Sequence, residues 1–336
     1  MRVDPITRLV PKSLISCAGM STLERLIQSL NEGGVQSITV GIGWLGNVIE
    51  NHLKTAIGSG QVQVIEVPEW KRGPLQTLVS SSSSLDKNPF IVCPADMIVS
   101  PENVGRLIDA HLSAEGAHLL TLSVDSIVDK GTRVQVTDEG RLIRIGAPSE
   151  VATNVVRSAM MMAVDWTFRQ YCTKALEVNA AKVTDAVNLA LESGATAGMI
   201  QVEKGSWRDL DDLDAYIEAN RELLEAMPGD VSGGLYLHPR DTLEIGNLLE
   251  SESGPTIGAG TQIVGPVFIA RNVRIGRECH IGPSASIGTD TVLGDHCDIR
   301  DCMLFGGAQL PEGNILLEAI VCGEAILEKG ANETAK

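Results

Sequence analysis

With 336 residues the chain is long enough for two domains with sizeable cores, and 27 basic against 43 acidic side chains give it a formal net charge of −16. Without a lysine-rich stretch, that balance argues against nucleic acid and anionic membrane as partners, although a few cations and a metal in a pocket still allow polyphosphates. No apolar run approaches a membrane span, Met1-Arg2-Val3-Asp4 does not open a signal peptide, and the seven cysteines include no C-x-x-C pair. A cytoplasmic protein with reduced, structural thiols and no zinc site is expected.

Residues Met1 to Leu14 carry two prolines and no clear period, and read as a loop. An amphipathic helix is expected over Ser21–Asn31, with Leu23, Leu26, Ile27 and Leu30 on one face and Gly33-Gly34 ending it. A strand over Gln36–Ile42, a helix over Asn47–Ile57 and a strand over Val62–Glu66 follow. Beyond a loop at Trp70-Lys71-Arg72-Gly73-Pro74 a helix runs to Leu85. Phe90–Cys93 is a short buried strand ending at Pro94-Ala95-Asp96, and Pro101 opens another helix at its first position. This alternation predicts a Rossmann-like α/β domain with a mostly parallel sheet and helices on both faces.

Thr132–Thr137 and Arg141–Ile145, joined by Asp138-Glu139-Gly140, read as a hairpin. Val155–Val164 is a strand, and Val183–Glu192 a helix capped by Thr184 or Asp185. Ala197–Glu203 is a strand, and Asp211–Glu225 a closing helix. Met227 to Gly234 is the best linker, so the expected partition is an α/β domain over 1–226, a linker over 227–254 and a repeat domain over 255–328.

That last domain rests on a six-residue period. Ile257, Ile263, Ile269, Ile275, Ile281, Ile287, Leu293, Ile299 and Phe305 lead successive hexads, and the fifth position is small or β-branched except at Met303 and Gln309. Neither a helix nor an alternating strand has this period; a parallel β-helix does, with three hexads per triangular coil and stacking burying the leading residues. The pattern resembles the left-handed β-helix of hexapeptide-repeat proteins.

In an open parallel sheet ligands bind beyond the carboxyl ends of the strands, where Asp96 and Asp209 both fall. Two carboxylates brought together there suit Mg²⁺, which takes one or two carboxylates plus phosphate oxygens, whereas a lone Asp after a strand is as readily a helix cap.

Arg2-Val3-Asp4-Pro5-Ile6-Thr7 and Pro11-Lys12-Ser13-Leu14 look like the R-L-x-P-L-T … P-K-P-L run of the sugar-1-phosphate nucleotidylyltransferase family. Agreement continues in order through Ala18-Gly19, Leu23-Glu24, Gly43-Trp44-Leu45, Ala95-Asp96, Val183-Thr184-Asp185, Trp207-Arg208-Asp209-Leu210 and Glu218-Ala219-Asn220. The resemblance implies a nucleoside triphosphate and a sugar 1-phosphate as substrates. It also implies Mg²⁺ on Asp96 and Asp209, Lys12 and Arg2 facing phosphates, and Gly73 where backbone approaches the nucleotide base. A homo-oligomer formed through the β-helix faces is expected.

Two departures accompany the resemblance. The family's opening apolar strand and glycine-rich loop have no counterpart before Arg2, so in-frame DNA upstream is expected to encode them. After Ile145 the family's E-K-P is replaced by Gly146-Ala147-Pro148, with Arg144 or Arg157 as candidate substitutes. These departures keep a second reading in play, a non-catalytic regulatory or scaffolding relative. A third reading is a β-helix acyltransferase using His280 or His296.

Overall fold

A computed structural model of the protein describes residues 3–58, 60, 62–114, 116–127, 131–138, 140–146, 154–227, 234–250 and 254–330. Contacts divide the chain into two compact units, one of Leu23–Asp209 and one of Met1–Thr22 with Leu210–Lys336. Residues 3–22 and the helix Leu213–Glu225, which precede position 226 in sequence, thus pack with the β-helix.

Unit 23–209 is mixed α/β. Its largest sheet runs in the order 197–201, 120–125, 154–164, 133–136, 142–145, with 90–92 also paired to 154–164. The pair 120–125 and 197–201 is parallel, as is the separate pair 38–42 and 62–66, whereas the long strand Asn154–Val164 runs antiparallel to all its neighbours. A bulge between Ser158 and Met162, where the Ser158 hydroxyl accepts the Met160 amide at 3.1 Å, bends that strand. Its first half can then pair with 133–136 and its second with 90–92. Phe90–Val92 is half-buried rather than buried as expected. Among the described residues it is laddered along one edge only, so its other edge lacks a neighbour to cover its side chains.

The predicted helices form close to their expected places, at Thr22–Glu32, Gly46–Ala56, Pro74–Ser81, Pro101–Ser113 and Val183–Glu192. Ser100 caps the fourth by accepting the Asn103 amide at 3.3 Å, with Pro101 at the first position. In the last, neither Thr184 nor Asp185 is the cap residue. The helix begins at Val183 as expected, with Lys182 as its cap residue, and Asp185 at its third position accepts the Lys182 amide at 3.1 Å.

The β-helix forms as three parallel sheets. Ile257 pairs with Ile275 and that in turn with Leu293, Ile263 with Ile281 and that with Ile299, and Ile269 with Ile287. Six of these, Ile257, Ile263, Ile269, Ile281, Ile287 and Ile299, are wholly buried. Each contributes about 1.5–3 kcal/mol of apolar burial. Some corners leave no room for a side chain: a Cβ on Gly282 would lie 2.0 Å from the Val264 carbonyl oxygen.

The ninth hexad is corrected by one residue. Ile287 is partnered by Leu304, which is 3 % exposed, and not by Phe305, which is half-buried. The coil is one residue short between Ile299 and Leu304, so Ala308, fully buried, takes the small inward place that Gln309 seemed to break. The helix also continues further than the hexads suggest, with Leu310, Leu316 and Val321 stacked in turn on Leu293, Ile299 and Leu304. Antiparallel strands 235–237 and 242–244 cover two of the sheets at one end, and the hairpin 319–322/325–328 covers one sheet at the other.

Residues 3–14, expected as loop, make two short 3₁₀ turns, Ile6–Arg8 and Lys12–Leu14, and a hairpin pairing 16–17 with 20–21 follows. Ile6 and Ile15 are wholly buried, which explains why this irregular stretch holds one position. Asn220, 1 % exposed, ties it down: its side-chain oxygen accepts the Ala18 amide at 2.9 Å and the Ser286 hydroxyl at 2.6 Å, and its nitrogen donates to the Ser284 carbonyl at 2.9 Å. Arg221 adds an ionic clasp, donating to Asp301 at 2.6 Å and Glu318 at 2.9 Å.

Candidate active site

The two aspartates that sequence reading singles out meet at a short antiparallel ladder inside unit 23–209. Strand Met97–Val99 pairs with Trp207–Asp209, with Asp209 opposite Met97, the residue that follows Asp96. Two carboxylates 113 positions apart in the chain are therefore within one residue of register. Met97 and Val99 are buried among Leu26, Leu30, Val104 and Leu107, which fixes the ladder against the core. Both aspartates are half-buried, each reaching solvent while anchored by backbone.

The second strand is positioned by a residue that sequence reading misses. Asp125, 2 % exposed at the end of its strand, accepts the Trp207 indole N–H at 2.8 Å through one carboxylate oxygen and the Ile127 amide at 2.8 Å through the other. A charged buried acceptor with a Trp donor fixes the strand two residues before Asp209. The ladder extends outward through the Ser100 amide and the Ser206 carbonyl at 2.8 Å, and Asn103, also buried, donates to the Ser206 hydroxyl. The only cue to Asp125 in the sequence is an acidic residue ending an apolar stretch, which is not distinctive.

Gly73 sits where only glycine fits. Its φ is +111° and its ψ 178°, and an added Cβ would lie 2.7 Å from the Ala181 carbonyl oxygen. That same carbonyl accepts the Leu75 amide at 3.0 Å, so the turn entering helix 74–81 is held against the segment that leads into Val183-Thr184-Asp185. Two stretches far apart in sequence thus become neighbours.

Lys12 belongs to the unit that holds the β-helix. Its ammonium pairs with Asp211 at 2.7 Å and its carbonyl accepts the Tyr216 hydroxyl at 2.9 Å, so the residue is held at both ends by helix 213–225 and its approach. Arg2 lies outside the described residues, as do Ala147 and Pro148. Gly146 is described, with φ +110°. Of the candidate substitutes for the missing lysine, Arg144 is exposed within 3.8 Å of Glu192, and Arg157 lies in strand 154–164 opposite Asp125 and Arg133. In the β-helix, His296 is an exposed corner residue with φ +60° beside Glu278, and His280 begins a strand.

Among the described residues no three His, Cys, Asp or Glu side chains cluster to hold a metal. The donor set of Asp96 and Asp209 is two carboxylates with no sulfur or imidazole, which fits a hard cation completing its shell with water and phosphate oxygens, as Mg²⁺ does. Cys93, close before Asp96, is no nucleophile: burial pushes its thiol up to about 12, so it stays protonated at neutral pH. No helix among the described residues is long and apolar enough to cross a membrane.

Comparison with known proteins adds independent support. A family model described as a MobA-like NTP transferase domain matches residues 7–128, and one described as the GMPPB C-terminal domain matches residues 263–333. The chain is 31 % identical over 139 residues to the bifunctional IPC transferase and DIPP synthase of Rubrobacter xylanophilus, covering 40 % of this chain and 30 % of that protein. The chain thus spans less than a third of that relative's length. It is 22 % identical over 328 residues to a probable mannose-1-phosphate guanylyltransferase 3 of Oryza sativa subsp. japonica, covering 95 % of this chain and 82 % of that one. The bifunctional protein GlmU of Methanococcus maripaludis is 22 % identical over 324 residues, covering 95 % and 74 %.

Proposed function

We propose that the chain, which resembles sugar-1-phosphate nucleotidylyltransferases along its length, transfers a nucleotidyl group from a nucleoside triphosphate to a sugar 1-phosphate, with Mg²⁺ held by Asp96 and Asp209. An oxygen of the sugar phosphate attacks the α-phosphorus in line and forms the new P–O bond. The bond from that phosphorus to the β-phosphate oxygen breaks, and pyrophosphate leaves with the electron pair.

No side-chain nucleophile is needed, so the protein's task is positioning and charge neutralisation. Mg²⁺, when bound, supplies positive charge to the phosphate oxygens of substrate and leaving group. The observation that carries the reading is the 97–99/207–209 ladder, which brings Asp96 and Asp209 to adjacent register positions on a backbone pinned by Asp125. Gly73 lets the turn entering helix 74–81 pack closely on the Ala181 carbonyl, which fixes the helix entry where the resemblance expects the base.

The test is pyrophosphate release by the full chain, over a matrix of the four common nucleoside triphosphates and a set of sugar 1-phosphates, with and without Mg²⁺. The expected result is pyrophosphate that requires both substrates and the metal, with a nucleotide-sugar of matching mass. Absence of pyrophosphate across the whole matrix would reject the proposal.

A further inference from the structure

The parallel pair 38–42/62–66 ends, at its carboxyl edge, in two tryptophans that the reaction as described leaves without a role. Ile42 runs directly into Gly43-Trp44-Leu45 and Glu66 into Val67 and then Trp70, with the Val67 amide bonded to the Ile42 carbonyl at 2.9 Å. The two indole rings lie 6.4 Å apart and tilted by 49°. Gly43 permits this approach, since a Cβ there would fall 2.4 Å from Trp70 Cγ. Leu45, with φ +51°, then turns the chain sharply into helix 46–56.

The fold makes little use of the Trp44 ring. Helix 46–56 buries Ile49 and Leu53 against the core, while Trp44 is 51 % exposed beside a half-buried Trp70. Over Trp70 stands the Lys71 ammonium, 5.6 Å from the ring centroid and otherwise exposed. An open indole face and an ammonium are thus gathered at the edge where ligands bind in parallel α/β sheets. A flat π-system bearing phosphates matches both; a sugar 1-phosphate has the anion but no flat ring.

We propose that Trp44 is the stacking face for the nucleobase of the triphosphate, with Lys71 supplying charge beside it. This rests on the nucleotidyl-transfer reading above and adds a base-binding residue to it. Stacking on an aromatic side chain tolerates any base, so the contact strengthens nucleotide binding without choosing among bases.

The test is the dissociation constant of each of the four nucleoside triphosphates, by equilibrium dialysis with the full chain and no sugar phosphate present. Trp44→Ala is expected to weaken every nucleotide that binds by roughly 5- to 150-fold, the scale of one lost base–aromatic stack. Trp44→Phe restores most of the affinity, and the thermal midpoints of both variants show that they are folded. If the wild type binds nucleotides and Trp44→Ala binds them within twofold as tightly, the stacking role is wrong while the reaction stands. If the wild type binds none of the four, the reaction and the stacking role fall together. In a parallel dialysis with a sugar 1-phosphate alone, lost affinity in Trp44→Ala, with nucleotide affinity intact, also overturns it.

Discussion

Asn220→Ala is the sharpest test of how residues 3–22 are held. The side chain is 1 % exposed and makes three hydrogen bonds, to the Ala18 amide, the Ser286 hydroxyl and the Ser284 carbonyl. At about 0.5–1.5 kcal/mol net for each, the bonds sum to roughly 1.5–4.5 kcal/mol. The Ser286 hydroxyl can rotate to another partner, but the Ala18 amide and Ser284 carbonyl are fixed backbone, and each costs about 1–3 kcal/mol if left buried and unpaired. The expected loss is therefore about 2–5 kcal/mol, within the range of severe single substitutions. Urea titration followed by circular dichroism measures it, and amide hydrogen exchange at Ala18 locates it. A loss below about 0.5 kcal/mol, with Ala18 exchange unchanged, would refute the view that this side chain pins the segment.

Asp96→Asn should lower turnover by roughly 10²–10³, the scale of removing one transition-state stabiliser, with the thermal midpoint the control for folding. The shifted coil gives an opposed pair: Leu304→Ala should cost about 2–5 kcal/mol as a core truncation and Phe305→Ala clearly less. A reversal in paired thermal melts would restore the unbroken hexad register. His111, buried beside Asp165 and accepting or donating at Thr121 over 3.1 Å, has its pKa lowered chiefly by burial, against the opposing pull of Asp165. The unfolded chain therefore binds the proton more readily, so stability is full above about pH 6.5 and falls as pH drops through the lowered native value. Denaturation midpoints between pH 7.5 and 5 should show this slope, flattened in His111→Gln.

The β-helix is legible because its period is enforced at every corner: one face of every hexad points inward, and a glycine such as Gly282 cannot be replaced without collision. The slip before Leu304 is not legible, since Leu304 and Phe305 are both large and apolar, and only stacking on Ile287 decides between them. The ladder 97–99/207–209 escapes notice for another reason. Three-residue strands have no alternation to read, and this one is set by tertiary contacts of Met97 and by the Asp125–Trp207 bond. Asp96 and Asp209 are found through resemblance to a family, not by pattern. The ion pair of Lys12 with Asp211 has no local signal, because the partners lie at opposite ends of the intervening unit.

One consequence follows from the way a contiguous stretch, 23–209, interrupts the other unit in sequence. During translation residues 3–22 leave the ribosome before the intervening stretch, yet Tyr216 and Asn220, which they dock against, emerge only after it. Ile6 and Ile15 must wait, unburied, through the synthesis of an entire intervening body, a long-range closure of the kind that folds slowly and exposes sticky surface to chaperones. For the same reason, scissors applied near residue 230 would not release two self-sufficient halves, because the downstream piece would lack its own first strands and helix.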